Sequence, residues 1–211
     1  DKQAMVAVQA AATSGTVDIS IRKADLQAAT QGWTPAAKKA LETAVSSRPV
    51  FDFTITAGGM KVSSFNGGSV HVAIPYQPSG NEDTNAIIAY YIADNGELVK
   101  VTNSYYDAAS GSLVFQVSHF SQYAVGYAPV SFGDTAGSFA KSYITYLAAR
   151  NIINGTAADQ FSPSAQITRA DFTLMLARMA GVSLSAYKAG AFNDVKVDSY
   201  YAQSVQWASE N

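Results

Sequence analysis

The stretch FGDTAGSFAKSYITYLAARNIINGTAADQFSPSAQITRADF, residues 132–172, decides how this chain is read. Its apolar residues recur at helical spacing, so that Tyr143, Ile144, Leu147 and Ala148 are predicted to share one helix face. A turn from Asn151 to Gly155 follows. Thr168-Arg169-Ala170-Asp171 then opens a second helix, with Thr168 as N-cap and Asp171 where a capping box usually carries Glu or Gln. That helix carries Phe172, Leu174, Met175, Leu176 and Met179 and stops at Gly181. The opening also recurs: Phe132-Gly133-Asp134 returns about sixty residues later as Phe192-Asn193-Asp194. After a one-residue shift, FAKSYITYLAAR (139–150) lines up with YYAQSVQWASEN (200–211), pairing Phe139 with Tyr200, Ile144 with Val205 and Tyr146 with Trp207. Helical units repeated at such a period share a core with their neighbours. The sequence holds one complete unit and the first part of another.

Upstream the texture differs. Asp1 to Ala12 reads as the tail of a helix broken by Ser14-Gly15, TVDISI (16–21) alternates like a strand, and Thr34-Pro35 opens a helix that ends before Arg48-Pro49. From Val50 to Tyr127 seven runs have strand character: 50–57, 61–65, 69–76, 86–93, 97–106, 112–119 and 122–128. Asp94-Asn95-Gly96 is a hairpin signal, and Asp107 to Gly111 a longer turn. Ala128-Pro129 ends the pattern. The predicted fold is α+β in two domains. Residues 1–128 form an antiparallel, sandwich-like β domain with one or two helices, residues 129–190 an all-α repeat, and residues 191–211 the start of a second repeat.

Composition narrows the function classes. A net charge of −2 with 14% charged residues gives neither the basic footprint of a nucleic-acid binder nor a polybasic membrane patch. No apolar run approaches the roughly 20 residues of a membrane-spanning helix. No cysteine is present, which excludes thiolate metal sites and thiol nucleophiles. Only four glutamates occur, and none belongs to a recognisable glycosidase carboxylate pair. His71 and His119 read as structural, and Asn81-Glu82-Asp83 as a solvated turn without the spacing of a calcium loop. The N-terminus has no charged-then-apolar leader pattern, so the chain reads as an internal fragment. The expectation is a non-enzyme with no cofactor and no bound metal, free of nucleic acid and membrane insertion.

In order, Phe132 and Asp134, Phe139, Asn151-Ile152-Ile153-Asn154-Gly155, Phe161-Ser162-Pro163 and Ile167-Thr168-Arg169-Ala170-Asp171-Phe172 resemble the S-layer homology (SLH) family. Three departures stand out: Phe139 and Tyr200 replace the usual Trp, Asn151 the usual Gly, and Asp171 the usual Glu. Residues 48–53, 74–76, 90–96 and 119–125 likewise resemble a module often found upstream of SLH repeats in bacterial surface proteins. The resemblance implies units that come in threes, with grooves between neighbours that bind secondary cell-wall polysaccharide, often carrying a pyruvate ketal. It also implies an extracellular address at the cell wall or S-layer of a Gram-positive-type bacterium.

The family's groove arginine carries onto Arg169, whose planar fork suits a carboxylate. Position alone would make it a solvent-facing first-turn residue. Thr168, Asn154 and Gly155 are placed beside it. Asp134 and Asp194 either cap the helices that follow or line the groove. Phe139 and Tyr200 either stack on sugar or sit in the core, the commoner fate of an aromatic at a helix start. The function expected is non-covalent anchoring of a surface protein, with the β domain as stalk. The alternatives are a self-assembling lattice module or a non-catalytic region of an extracellular glycosidase. One and a third units cannot close a three-fold spindle, so Val205 and Trp207 are expected to be exposed and the fragment to self-associate, as a trimer, through its SLH units.

Overall fold

The computed structural model describes residues 1–11, 16–26 and 30–211, so the expected helix break at Ser14-Gly15 lies outside the described residues. The chain is α+β, and its contacts divide it into two compact units, Asp1–Pro129 and Val130–Asn211.

In the first unit α1 (Lys2–Ala11) and β1 (Val17–Lys23) precede α2 (Pro35–Val45). Thr34 caps α2, its hydroxyl accepting from the Ala37 amide at 3.2 Å, with Pro35 at the first helical position. The strands that follow are β2 (Val50–Ala57), β3 (Met60–Lys61), β4 (Val70–Pro75), β5 (Ile87–Ile92), β6 (Leu98–Val101), β7 (Tyr105–Asp107), β8 (Ser112–Val117) and β9 (Gln122–Tyr127). They make two antiparallel sheets. One has the order β1-β2-β9-β5-β6, with β3 also on β2, and the other is β4-β8-β7. The hairpin expected at Asp94-Asn95-Gly96 joins β5 to β6, and the longer turn joins β7 to β8.

Two of the expected strands come out differently, each for a side-chain reason. The run 61–65 leaves β2 after Val62, whose amide donates to the Ile55 carbonyl at 2.9 Å, because Val62 and Phe65 both turn into the core and their three-residue spacing does not fit a pleat. The run 97–106 is split between the two sheets. At the break lies the fully buried Ser104, whose hydroxyl donates to the Val101 carbonyl (2.7 Å) and accepts from the Ala89 amide (3.1 Å), so the crossing leaves its polar groups satisfied.

One apolar cluster draws on both sheets, including Phe53 and Ile55 of β2, Ile74 of β4, Leu113 and Phe115 of β8 and Val125 of β9. Phe65 and Phe120 meet edge-on at 5.2 Å between ring centres. His119 stands edge-on to Tyr91 at 5.0 Å, and burial pushes its imidazole below the usual range, which is the structural role its sequence context suggested. His71 is on the exposed face of β4.

In the Asn81-Glu82-Asp83 segment Asn81 and Asp83 are exposed, as expected of a solvated turn, but Glu82 turns inward. The Glu82 side chain is 6% exposed and forms an ion pair with Arg48, whose Nε donates to Oε1 at 2.8 Å. The Tyr76 hydroxyl and the Ser79 amide donate to its other oxygen at 2.7 and 2.9 Å. Burial pushes the Glu82 carboxyl upward, but hydrogen bonds from Tyr76 and Arg48 outweigh it and hold the group below its ordinary value. Glu82→Ala leaves the shielded guanidinium and phenol without their shared acceptor, and should cost about 2–4 kcal/mol. Urea unfolding followed by circular dichroism checks this; a loss below about 0.5 kcal/mol, the size of an exposed pair, would contradict it.

Candidate functional site

The second unit is built from α3 (Lys141–Ala149), α4 (Arg169–Met179) and α5 (Ala202–Glu210). Ile144 and Ala148 bury the inner face of α3, whereas Tyr143, expected on that face, is 68% exposed. The helix ends with Asn151 in the left-handed region at φ 57°, as its replacement of the family's Gly requires. The Asn151 amide donates to Ala148 and that of Ile152 to Leu147, each at 3.0 Å, a Schellman ending that turns Ile152 into the core. Arg150, just before it, is buried with its guanidinium 3.6 Å above the Tyr146 ring, and burial lowers its pKa to about 10, still charged at neutral pH. Helix α4 closes the same way at Gly181, whose amide and that of Val182 return to Arg178 and Ala177.

The Phe132-x-Asp134 opening and the Phe161-x-Pro163 element are one device. Asp134 accepts from the amides of Phe161 (2.9 Å) and Ser162 (2.7 Å), and the Phe132 ring lies 5.5 Å from that of Phe161. The Gly133 amide donates to Asp159. Gly155 threads beneath. A Cβ there would stand 2.4 Å from the Gln160 carbonyl and 2.6 Å from the Phe132 ring. Neither Asp134 nor Asp194 caps a helix: α3 and α5 begin at Ala140 and Tyr201 without a side-chain cap. The capping alternative is therefore corrected, and Asp134 serves as a long-range tie.

Between this loop and the inner face of α4 lies a cleft of about 570 Å³. Asn154 and Gly155 line one wall, Leu174, Met175 and Arg178 another, and Tyr200, just before α5, reaches it as well. Asp171 is engaged on both oxygens, by the Thr168 hydroxyl (2.6 Å) and the Tyr200 hydroxyl (2.5 Å), which join the start of α4 to the segment before α5. Those two bonds hold the Asp171 carboxyl below its usual range; the amides of Phe161 and Ser162 do the same for Asp134. Among the described residues, no three His, Cys, Asp or Glu gather as metal ligands.

Of the residues singled out in the sequence, Asn154, Gly155 and Tyr200 meet at this cleft. Thr168 is the N-cap of α4, as expected, and reaches the cleft only through Asp171. Arg169, Phe139 and Asp194 are exposed and outside the lining. Phe139 is 94% and Tyr200 70% exposed, which removes the core alternative for both. Val205 and Trp207, expected to be exposed, are half-buried. The cleft's own cation, Arg178, went unnoticed, although Asp171, Leu174, Met175 and Arg178 stand at the i, i+3, i+4, i+7 spacing of one helix face.

Residues 131–173 match the family model of the S-layer homology domain, and the second unit accordingly carries a member of that family. This is a non-catalytic module that anchors surface proteins to the cell wall through its polysaccharides, and it places the chain at the cell surface of a Gram-positive-type bacterium. The chain is 32% identical over 145 residues to an amylopullulanase of Thermoanaerobacterium thermosulfurigenes, a match covering 67% of this chain and 8% of that protein. It is 38% identical over 79 residues to exoglucanase XynX of Acetivibrio thermocellus, covering 37% of this chain and 7% of that one. An endo-1,4-beta-xylanase A of Thermoanaerobacterium saccharolyticum is 37% identical over 79 residues. The chain thus spans less than a tenth of the length of these relatives. No solved structure matches.

Gly155→Ala forces backbone against ring and should destabilise the second unit by about 1–3 kcal/mol; an unchanged melting midpoint would contradict the packing described. The acid response follows from the lowered carboxyls. What they add to stability is fully present above about pH 4 and is lost as pH falls through their folded values. Asp134→Asn, which does not titrate, should melt lower than wild type at pH 7 and lose less on acidification. Equal acid sensitivity in the two proteins would contradict this.

Proposed function

We propose that the second unit anchors its parent protein by holding secondary cell-wall polysaccharide in the cleft between the 153–167 loop and α4, with Tyr200 contributed by the following repeat. The observation that carries this reading is the mixed lining. An arginine, an amide side chain and an exposed tyrosine ring surround an apolar floor, which suits a sugar polymer bearing a carboxylate. A pyruvate ketal on the polysaccharide is the anion Arg178 would take. Arg169, on the exposed start of α4, serves as a contact only for chain running past the cleft, and Thr168 and Asp134 hold the walls in place. Phe139 and Asp194 belong to the outer surface.

We read residues 1–128 as a sandwich-like stalk, 129–190 as a complete repeat and 191–211 as the beginning of the next. In this reading the chain contributes anchoring and not catalysis, as the S-layer homology module does. The names of the relatives favour a parent enzyme that degrades polysaccharide, with this chain as its non-catalytic region. The amylopullulanase match is longer than the whole second unit, so it takes in part of the β-rich region as well. Exposed Phe139, Tyr143, Phe172 and Met179 support self-association of second units, as a trimer that stands in for three tandem repeats. A lattice-forming role would draw on the same surface.

Pelleting with purified wall sacculi, before and after acid removes the polysaccharide, tests the anchoring. Binding should need the polysaccharide, and Arg178→Ala should weaken it at least tenfold while Arg169→Ala changes it little. Equal pelleting with both preparations would sink the polysaccharide reading. A loss confined to Arg169→Ala would move the ligand to the outer face of α4.

A further inference from the structure

Strand β1 closes one side of the larger sheet: β2 pairs with one edge of it, and among the described residues no strand pairs with the other. Its register sets Val17, Ile19 and Ile21 opposite Ala57, Ile55 and Phe53, all three of which are buried in the core. Opposed residues of an antiparallel pair share a face, so the apolar row of β1 continues the core face of the sheet. It is nevertheless open to solvent, with Val17 44%, Ile19 62% and Ile21 60% exposed. One exposed aliphatic side chain is ordinary, but a row of three on an edge strand is a template for pairing.

The backbone can be followed in the same detail. The Ala24 amide donates to the Val50 carbonyl and the Gly58 amide to the Thr16 carbonyl, so even-numbered residues turn their backbone groups toward β2. Val17, Ile19, Ile21 and Lys23 therefore turn theirs outward. The sequence of the strand, VDISIRK, is self-complementary about its centre, Ser20. Two copies paired antiparallel about that residue set Ile19 against Ile21, Val17 against the Lys23 stem and Asp18 against Arg22. The odd-numbered residues exchange hydrogen bonds, and the two Asp18–Arg22 pairs fall at the close, non-bonded positions, where opposite charges stabilise and like charges destabilise. Moving the centre by one residue sets Asp18 against Ser20 or Ala24 and loses both charge pairs.

We propose that β1 is a dimerisation edge, to which a second copy of this chain adds its own β1 antiparallel about Ser20. The two larger sheets then join across a two-fold axis, and the two apolar rows cover one another. Taken by itself, the contact is isologous and consumes one edge in each copy, so pairing through β1 closes at two whatever the second units do. The charges also act against other occupants, since a strand without the matching pattern brings Asp18 or Arg22 against an apolar or like-charged neighbour.

Sedimentation of the whole chain, with circular dichroism to confirm that each variant is folded, tests the proposal. Wild type should show a two-fold association step. Asp18→Arg and Arg22→Asp should each weaken it at least tenfold, because each makes the paired charges alike. An equimolar mixture should restore it, since the two arginines of one variant then face the two aspartates of the other. Ile19→Lys, at an exposed position, should abolish the step without charge reversal at 18 or 22. Association through the second unit is indifferent to all of these changes. The proposal is overturned if either charge variant associates like wild type, if the mixture does no better than its components, if Ile19→Lys still dimerises, or if wild type shows no two-fold step.

Discussion

The Asp134 carboxylate, 2.9 and 2.7 Å from the amides of Phe161 and Ser162, sets the shape of the second unit. It joins two segments that are far apart in sequence, and everything between them is organised by that closure. Phe132 is pressed on Phe161, Gly155 is pinned where no side chain fits, and the loop from Ile153 to Ile167 is held as the wall of a cleft. A charge-assisted pair of backbone bonds suits the task, since it satisfies two loop amides and fixes an angle without needing a large core. At the far side Asp171 repeats the device, accepting from Thr168 at the start of its own helix and from Tyr200 just before α5. Two short acids thus fix the two walls.

The first unit solves a different problem. Its sheets share a core, and the chain must pass between them without stranding polar groups. Ser104 does this between β6 and β7, and the Arg48–Glu82–Tyr76 cluster ties the segment after α2 to the loop before β5. These are scaffolding roles. The chemistry suited to a ligand is concentrated in the second unit, where the loop backbone is irregular and rigidly supported.

Much of this was legible from the sequence. The alternation of Val50–Ala57, the Asp94-Asn95-Gly96 turn, the Thr34 and Thr168 caps and the left-handed Asn151 all follow from local chemistry, and local chemistry decided them. What could not be read depends on contacts between distant residues. The 97–106 run looks like one strand because only the burial of Ser104 against Ala89 shows that the chain changes sheets. Asp134 looks like a helix cap because its true partners lie 27 and 28 residues away. Arg178 stands at a helical spacing from Asp171 that is visible in the sequence, whereas the family motif points to Arg169, nine residues before Arg178 and on another face of the helix. The aromatics Phe139 and Tyr200 resemble core residues by type and position, and only the packing shows them outside.

Anchoring through the cleft is the central claim, and isotope-labelled chain titrated with purified wall polysaccharide tests it most directly by nuclear magnetic resonance. Binding there predicts shifts concentrated at the amides of Asn154 and Gly155, the Tyr200 ring and the Arg178 side chain, with the β strands of the first unit unmoved. Perturbations confined to residues 1–129, or none within residues 130–211 at saturating polysaccharide, would contradict it.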